Sequence, residues 1–388
     1  MTSTAELARF SNTRQLEASE LYRQLKPHID RLLQSVVHEN FASASTVCSD
    51  EIRAAAWNIE RGMRTEAVIR AIVEHPRLAA ADVYLLSELD RGMARTGNRF
   101  VARDIAERLN LNYAFAPCYL ALNKGSGAEK QVEGANEESL HGNALLSPHP
   151  MYAIHSVALP NGKDKMKGAE KRIGCQRAVV ADIAHPAGAF RAVSLHLDAH
   201  SSQRHRQRQM RLVLDHLDGL TPQIPVLIGG DWNTTTHDAS RALYSILGYG
   251  RRVLMGVRHV VSRHYPYPER WFERGLFREL EARGYNLRGT NVPGLCTLHY
   301  GIDDLAANLN MAEWVPHWCF WFINWALKRT GGRCSMKLDW YASKEMTPSE
   351  PGVLQNLMDS GSRISDHDPI VLNVKLENPR VSNVTDPV

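Results

Sequence analysis

The chain has 388 residues, of which 44% are hydrophobic and 23% charged, an ordinary composition for a globular protein with a large core. Its net charge of +4 is too small to indicate nucleic-acid binding by itself. The six cysteines form no C-x-x-C pair, which argues against a zinc site or a disulfide framework and predicts reduced thiols.

The first 48 residues are predicted to form an N-terminal helical extension. Apolar residues recur at about helical spacing between residues 5 and 41, with Pro27 marking a break or a helix start. Packing against the main body is the favoured interpretation, and a dimerisation or partner helix is the alternative. The first residues lack the apolar core of a signal peptide, and no run reaches the roughly 18 apolar residues of a membrane span. We therefore expect a cytoplasmic protein without a transmembrane segment.

From residue 49 to 378 the sequence alternates between apolar strands and helices. The predicted strands are 52–57, 83–86, 113–115, 144–147, 177–183, 190–195, 224–228, 338–342 and 370–374. The predicted helices are 65–75, 99–109 and 201–217. This alternation predicts an α/β (α+β) domain, and the irregular stretch at about 237–335 reads as an insertion in it. The polar tail 379–388 is predicted to be disordered.

Polar residues of the kinds that bind metals and move protons lie at the ends of these strands. They are Asn58, Glu60, Glu88, His196, Asp231, Asn233, Asp339, Asp366 and His367. Separate strands rarely end in such residues by chance. Carboxylate and amide oxygens are hard ligands that suit Mg²⁺ or Mn²⁺ rather than zinc, and histidine can exchange a proton near neutral pH. The pattern predicts a site for hydrolysing phosphate esters.

Six short motifs at these strand ends resemble, in order, those of the endonuclease/exonuclease/phosphatase superfamily, whose fold is DNase I-like. They are Trp57-Asn58-Ile59-Glu60, Ser87-Glu88, Ser194-Leu195-His196-Leu197, Gly230-Asp231-Trp232-Asn233, Leu338-Asp339-Trp340 and Ser365-Asp366-His367. The resemblance runs from about residue 50 to 376, without most of the stretch 237–335. It implies a four-layer sandwich of two packed β-sheets flanked by helices.

The resemblance also implies a role for each residue that matches a motif. Glu88 would be the main metal ligand, with Asn58 and Glu60 beside it and Asp366 completing the site. Arg177, which precedes an apolar strand, is similar to an arginine that the family often has there and would contact the substrate phosphate.

The remaining residues would carry the acid–base chemistry. His367 would be the general base or would pair with the scissile phosphate, and Asp339 would orient it. Asp231 and Asn233 would position the attacking water and the phosphate, while His196 would contact a phosphoryl oxygen.

The implied activity is that of a divalent-metal-dependent phosphoesterase using Mg²⁺ or Mn²⁺, most simply a phosphodiesterase in which an activated water attacks. Nucleic acid is slightly favoured as the substrate. Residues 251–288 hold nine arginines against four glutamates among aromatic residues, a composition that can contact phosphates and stack on bases. The favoured interpretation of this stretch, however, is an amphipathic helical insertion with surface ion pairs.

The sequence leaves three alternative interpretations of the function. The Trp-rich stretch 314–325 can meet a membrane surface, as in a sphingomyelinase-like lipid phosphodiesterase, or it can be a buried helix. A small-molecule phosphatase would have a closed pocket, and a non-catalytic binding protein could use the same scaffold. The sequence does not indicate an oligomeric state.

Overall fold

The computed structural model describes residues 2–43, 49–235, 238, 242–301, 321 and 324–377. Two β-sheets pack face to face, and helices cover their outer faces. The predicted four-layer sandwich is therefore confirmed. Within the described residues, no helix is both long and apolar enough to span a bilayer.

The helices are α1 (Thr2–Leu7), α2 (Thr13–Ala18), α3 (Glu20–Gln34), α4 (Thr65–Glu74), α5 (Pro76–Ala79), α6 (Val101–Leu109), α7 (Gln203–Asp218), α8 (Ala242–Met255), α9 (Val257–His259), α10 (Pro268–Trp271) and α11 (Arg274–Ala282). The strands are β1 (Val37–Glu39), β2 (Ile52–Asn58), β3 (Val83–Arg91), β4 (Asn112–Ala121), β5 (Leu140–Ser147), β6 (Met151–Leu159), β7 (Arg172–Gly174), β8 (Gln176–His185), β9 (Gly188–Ser194), β10 (Val226–Asp231), β11 (Leu298–Gly301), β12 (Arg333–Met336), β13 (Asp339–Lys344), β14 (Met346–Val353), β15 (Met358–Asp359), β16 (Ser362–Arg363) and β17 (Ile370–Leu376).

The strand order explains why the polar strand ends meet. The first sheet runs β1-β4-β5-β3-β2-β17-β14, with β7 paired to β4, and the second runs β13-β10-β9-β8-β6. At the centre of each sheet two strands are parallel, β2 with β3 and β9 with β10. Parallel strands end at the same edge, so the residues that follow them gather there.

Three apolar layers hold the sandwich together. Small and branched side chains such as Ala54 and Leu85 of the first sheet and Leu227 of the second fill the space between the sheets. Helices α4 and α6 cover the outside of the first sheet, and α7 and α11 cover the outside of the second. Burial of these aliphatic faces is the main stabilising contribution to such a fold.

The N-terminal extension differs from the continuous helical pattern predicted for it. Helix α3 runs through Pro27 but ends at Gln34, and β1 then pairs antiparallel with β4 at the sheet edge. The β-branched pair Val36-Val37 favours this extended pairing over further helix. Residues of α1–α3, including Leu16 and Leu33, pack in one buried cluster with Leu120.

The stretch 237–335 is not one irregular insertion. Leu276, Phe277 and Leu280 of α11 are buried against α7 and the second sheet, so this helix belongs to the outer layer of the main domain. The paired strands β11 and β12 contact the segment of His367 through an isolated bridge at Leu298. Most of the Trp-rich stretch 314–325, together with the predicted tail 379–388, lies outside the described residues.

Candidate active site

Asn58 links the two sheets at the edge where the parallel strands end. Its Nδ2 donates to Glu88 Oε1 (3.1 Å) on the neighbouring strand and to Asp231 Oδ2 (3.2 Å) on the other sheet. Its Oδ1 accepts from the Glu60 backbone N–H at 3.1 Å. In this orientation Asn58 positions two carboxylates, and its predicted role as a metal ligand, which needs the amide oxygen, stays a prediction.

The loop after β2 adopts a backbone conformation that is costly for most residues. Glu60, Arg61 and Gly62 all have positive φ angles of 48°, 63° and 75°, and Glu88 has a φ of 59° at a bulge in β3. A Cβ at Gly62 would lie 2.5 Å from a methyl of Val101, so only glycine fits. Strained residues of this kind concentrate at functional sites, where the fold holds them in place.

Asp231 ends β10 and is held from several sides. The backbone N–H and Nδ2 of Asn233 donate to its two oxygens at 2.8 and 3.1 Å. The left-handed φ of Asn233, 48°, is one that asparagine tolerates. Burial raises the pKa of Asp231 to about 7, and although His367 opposes this rise, the negative charge of Asp339 adds to it. The carboxyl group therefore exchanges a proton near neutral pH.

His367 is fixed by hydrogen bonds to its ring and its backbone. Nδ1 lies 2.8 Å from Asp339 Oδ2, and Nε2 lies 3.8 Å from Asp231 Oδ2. The backbone N–H donates to Ser365 Oγ, and the carbonyl accepts from Trp57 Nε1. Burial lowers the pKa of His367, but Asp339 and Asp231 together raise it by more, so the pKa stands well above its usual value.

His196 brings a second imidazole to Asp231. Its Nε2 lies 3.6 Å from Asp231 Oδ2, and burial lowers its pKa to about 4, so this ring is neutral. Among the described residues, neither His196 Nδ1 nor Asp339 Oδ1 has a hydrogen-bond partner although both are buried. Unpartnered polar atoms at this depth are unusual, and a bound ligand or water would satisfy them.

Three further carboxylates form an acidic group beside this cluster. Burial and the charge of Asp366 raise the pKa of Glu60 to about 8, and burial also raises the pKa of Asp366. Burial raises the pKa of Glu88 as well, but the charge of Arg61 opposes this and the pKa is lowered. Crowded carboxylate oxygens with raised pKa values fit a hard divalent cation, whose charge would remove the repulsion between them.

Two clusters in the described part of the chain bring potential metal ligands within 4.8 Å of one another: Asp231, Asp339 and His367, and Asp82, His149 and His185. The 2.8 Å contact between Asp339 and His367 makes the first a hydrogen-bonded acid–base group next to the acidic carboxylates.

The second cluster already has its counter-charge. Asp82 accepts from the backbone N–H and from Nε and Nη2 of Arg53 at 2.8–3.1 Å. His185 Nδ1 accepts from the Ala187 N–H, so its Nε2 carries the proton that points to Asp82. A cation here would meet the Arg53 guanidinium and the Nε2–H of His185, and we interpret this cluster as structural.

Arg177 is the one predicted site residue that the structure does not bring into these contacts. Its Nε donates to Ser156 Oγ (2.9 Å) on β6, and its carbonyl accepts from Asn143 Nδ2. Asn143 Oδ1 in turn accepts from the Glu88 N–H at 3.4 Å. Arg177 thus reaches the site through its backbone, and contact between its guanidinium and a phosphate stays a prediction.

Several residues around the site were not predicted. Arg61 pairs with Glu129 (3.3 Å), which pairs with the fully buried Arg95, and Arg95 pairs with Asp90. His141 lies 2.8 Å from Asp90 and its charge acts on Glu88. The sequence gives little sign of this network because its members are far apart along the chain; only the polar residues inside the apolar strands β3 and β5 hint at it.

Most of the chain matches the model of a known protein family. Residues 55–367 match the model of the Endonuclease/Exonuclease/phosphatase family. No curated protein sequence matches the chain.

Three solved structures are similar to this chain at low sequence identity. The endonuclease/exonuclease/phosphatase from Beutenbergia cavernae is 18% identical, with 86% of this chain and 73% of that chain covered and a TM-score of 0.49. The human Nocturnin catalytic domain is 14% identical, with 89% and 97% covered and a TM-score of 0.44. The 3'-5' exonuclease of Neisseria meningitidis is 13% identical, with 83% and 98% covered and a TM-score of 0.46.

Proposed function

The chain belongs to the Endonuclease/Exonuclease/phosphatase family, and from this and the site we propose that it is a divalent-metal-dependent phosphodiesterase. The observation that carries the proposal is the position of Asp231. It contacts Asn58 from the first sheet, lies 3.6 Å from His196 and 3.8 Å from His367, and has a pKa of about 7. A buried proton acceptor between two histidines, next to an acidic group, suits the attack of water on a phosphate ester.

In the proposed reaction Asp231 accepts the proton of the attacking water. Asn233 and Asn58 hold its oxygens, so the acceptor does not move during the transfer. A carboxyl group with a pKa near 7 is well matched to this task at neutral pH, because it is partly ionised and still basic enough to take a proton.

The two histidines bind the phosphoryl group in different ways. Asp339 keeps His367 in its protonated form, and this imidazolium pairs with the negative charge that develops on the phosphoryl oxygens. Neutral His196 donates one N–H to the same group. When bound by Glu88, Glu60 and Asp366, a divalent ion would polarise the phosphoryl oxygen and stabilise the leaving alkoxide.

Nucleic acid remains our proposed substrate, although residues 251–288 support it less than their composition indicates. Phe277 and Tyr285 are buried in the core and cannot stack on bases. Arg283 pairs with Asp215, Asp218 and Glu279, which fits the alternative of a helical layer with surface ion pairs.

The first test is hydrolysis of a bis-aryl phosphodiester and of plasmid DNA in Mg²⁺ or Mn²⁺, with EDTA as the metal-free control. We expect metal-dependent cleavage of the bis-aryl ester. Cleavage of DNA as well would support the nuclease assignment, and its absence would remove it while leaving the phosphodiesterase proposal in place. Failure on both substrates by a folded protein with bound metal would favour a non-catalytic binding protein.

A further inference from the structure

Helix α8 carries an apolar stripe that faces away from the protein. Leu243, Ile246, Leu247 and Leu254 are spaced by three, four and seven residues, which places them on one side of a helix. Each is between 42% and 90% exposed. Leaving four large aliphatic side chains in water costs free energy, so a stripe of this kind indicates a surface that something else covers.

The orientation of α8 is fixed by its other face. Arg252 is buried and its guanidinium lies 5.7 Å from the ring centre of Phe272. Tyr244, Gly248 and Arg252 line a cavity shared with Phe272. The polar face of α8 therefore packs on the protein while its apolar face points outward, the reverse of an ordinary surface helix.

Helix α11 carries a similar apolar stripe, which is covered by the rest of the protein. Leu276, Phe277 and Leu280 recur at the same kind of spacing and are all buried in the core of the second sheet. The two helices are both amphipathic, but within the part of the chain that the structure describes the stripe of α11 is buried and that of α8 is exposed.

Three exposed tryptophans lie in the segments that follow α8 along the chain. Trp271, Trp321 and Trp325 are 55%, 66% and 49% exposed. Leu327, two residues after Trp325, shares a buried cluster with Val260, which ties this segment to the region that follows α8. Tryptophan is the side chain best suited to the interface between lipid headgroups and acyl chains.

The charge of the same segment is one-sided. Residues 242–271 contain no lysine or aspartate, and besides the buried Arg252 they hold four exposed arginines and one glutamate. Aliphatic side chains beside exposed tryptophans and a basic excess are the composition of helices that lie in the surface of an anionic membrane. A second copy of the chain would bring the same positive charge to the interface, and a nucleic acid would not cover leucines.

We propose that α8, with Trp271, Trp321 and Trp325, is a membrane-docking face that binds anionic lipid bilayers in the plane of the interface. The inference is independent of the reaction at the site.

The test is co-sedimentation of the full chain with vesicles of phosphatidylcholine, with and without phosphatidylserine, at low and high salt. We expect binding to the vesicles that contain phosphatidylserine, and weaker binding at high salt because screening reduces the attraction. The double variant Leu247→Glu, Leu254→Glu should bind at least about tenfold more weakly, because charged side chains do not enter the acyl region.

Val73→Glu is the matched control, since Val73 on α4 is 59% exposed, much like Leu247. It should bind as the unsubstituted protein does, and circular dichroism should show all forms folded. Equal binding by the double variant, or no binding by the unsubstituted chain, would overturn the proposal. So would a concentration-dependent dimer that the double variant abolishes, because a second copy would then be the occupant of the stripe.

Discussion

Two buried clusters of this protein contain the same residue types, yet their surroundings differ. Asp82, His149 and His185 meet near the start of β3, while Asp231, Asp339 and His367 meet where the parallel strands end. Arg53 neutralises Asp82, and hydrogen bonds outweigh burial in lowering the pKa of that carboxyl group.

In the second set one cation, the His367 imidazolium, is shared between the carboxylates of Asp339 and Asp231. Among the described residues Asp339 Oδ1 has no partner, and the pKa of Asp231 is raised to about 7. Buried charges that are fully paired contribute to structure. Buried carboxylates that share too little positive charge instead tend to bind a proton, a metal ion or a substrate. The comparison predicts that substitutions in the two clusters will affect different properties.

The largest difference should appear when one histidine is removed from each cluster. We expect His367→Ala to reduce kcat by about 10²–10³, the usual cost of removing one donor that stabilises charge in the transition state. His185→Ala should leave kcat per folded molecule nearly unchanged. Steady-state hydrolysis of a bis-aryl phosphodiester measures kcat for both variants. A similar fall in kcat in the two would contradict the assignment of one cluster to catalysis and the other to structure.

Asp82→Asn should reverse this pattern and reduce stability. Removing the carboxylate leaves the Arg53 charge without its partner, at a cost of about 3–5 kcal/mol near pH 7. The folded pKa of Asp82 is lowered, so its stabilisation is present above the unfolded value of about 3.9 and fades as the pH falls below it. Urea denaturation across pH should show the two proteins converging in acid; a constant difference would contradict the electrostatic explanation.

Glu88→Gln should separate metal binding from stability. A neutral amide is a poor ligand for Mg²⁺, so we expect the affinity for Mg²⁺ to fall by roughly a hundredfold. Calorimetric titration of Mg²⁺ measures the change, and Asp82→Asn serves as the control whose affinity should not fall. Unchanged affinity in the Glu88 variant would move the principal ligand to another carboxylate.

The smallest effect, and the one opposite in sign, is expected for Asp231→Asn. Because the folded pKa of Asp231 is raised, the native state binds its proton more tightly than the unfolded state. Stability is therefore lost as the pH rises from about 4 to about 7. Asparagine removes this penalty, so the metal-free variant should be more stable by roughly 1–3 kcal/mol at pH 8. A destabilised variant would mean that the Asp231 charge is well compensated.

Much of the site was predictable because strand order and short motifs carry it. The predicted strands followed by Asn58, Glu88 and Asp231, and the strand that begins after His367, indicated one shared edge. The structure joins these residues through hydrogen bonds or close contacts. The pairing of Asp339 with His367 was also predicted, from the family pattern, and the 2.8 Å contact agrees with it.

Other features depend on partners that are distant along the chain. The Asp82 cluster joins residues up to 103 positions apart and matches no motif, so nothing in the sequence predicted it. The apolar stripe of α11 is buried against a sheet, whereas the apolar stripe of α8 is exposed. The helical spacing is similar in both, so it does not predict which helix packs on a sheet. Arg177 was assigned by its position before an apolar strand, which does not determine where its side chain hydrogen-bonds.

The most direct test is whether Mg²⁺ binding at pH 7 releases protons. Glu60, with a pKa of about 8, and Asp231, with a pKa of about 7, hold protons that a divalent ion should displace. Titration calorimetry in buffers of different ionisation enthalpy measures that release without any assumption about the substrate. We predict net proton release that falls in Glu60→Gln and is unchanged in Asp82→Asn. Binding without proton release, or no binding at all, would contradict the account of the site as a metal-dependent centre.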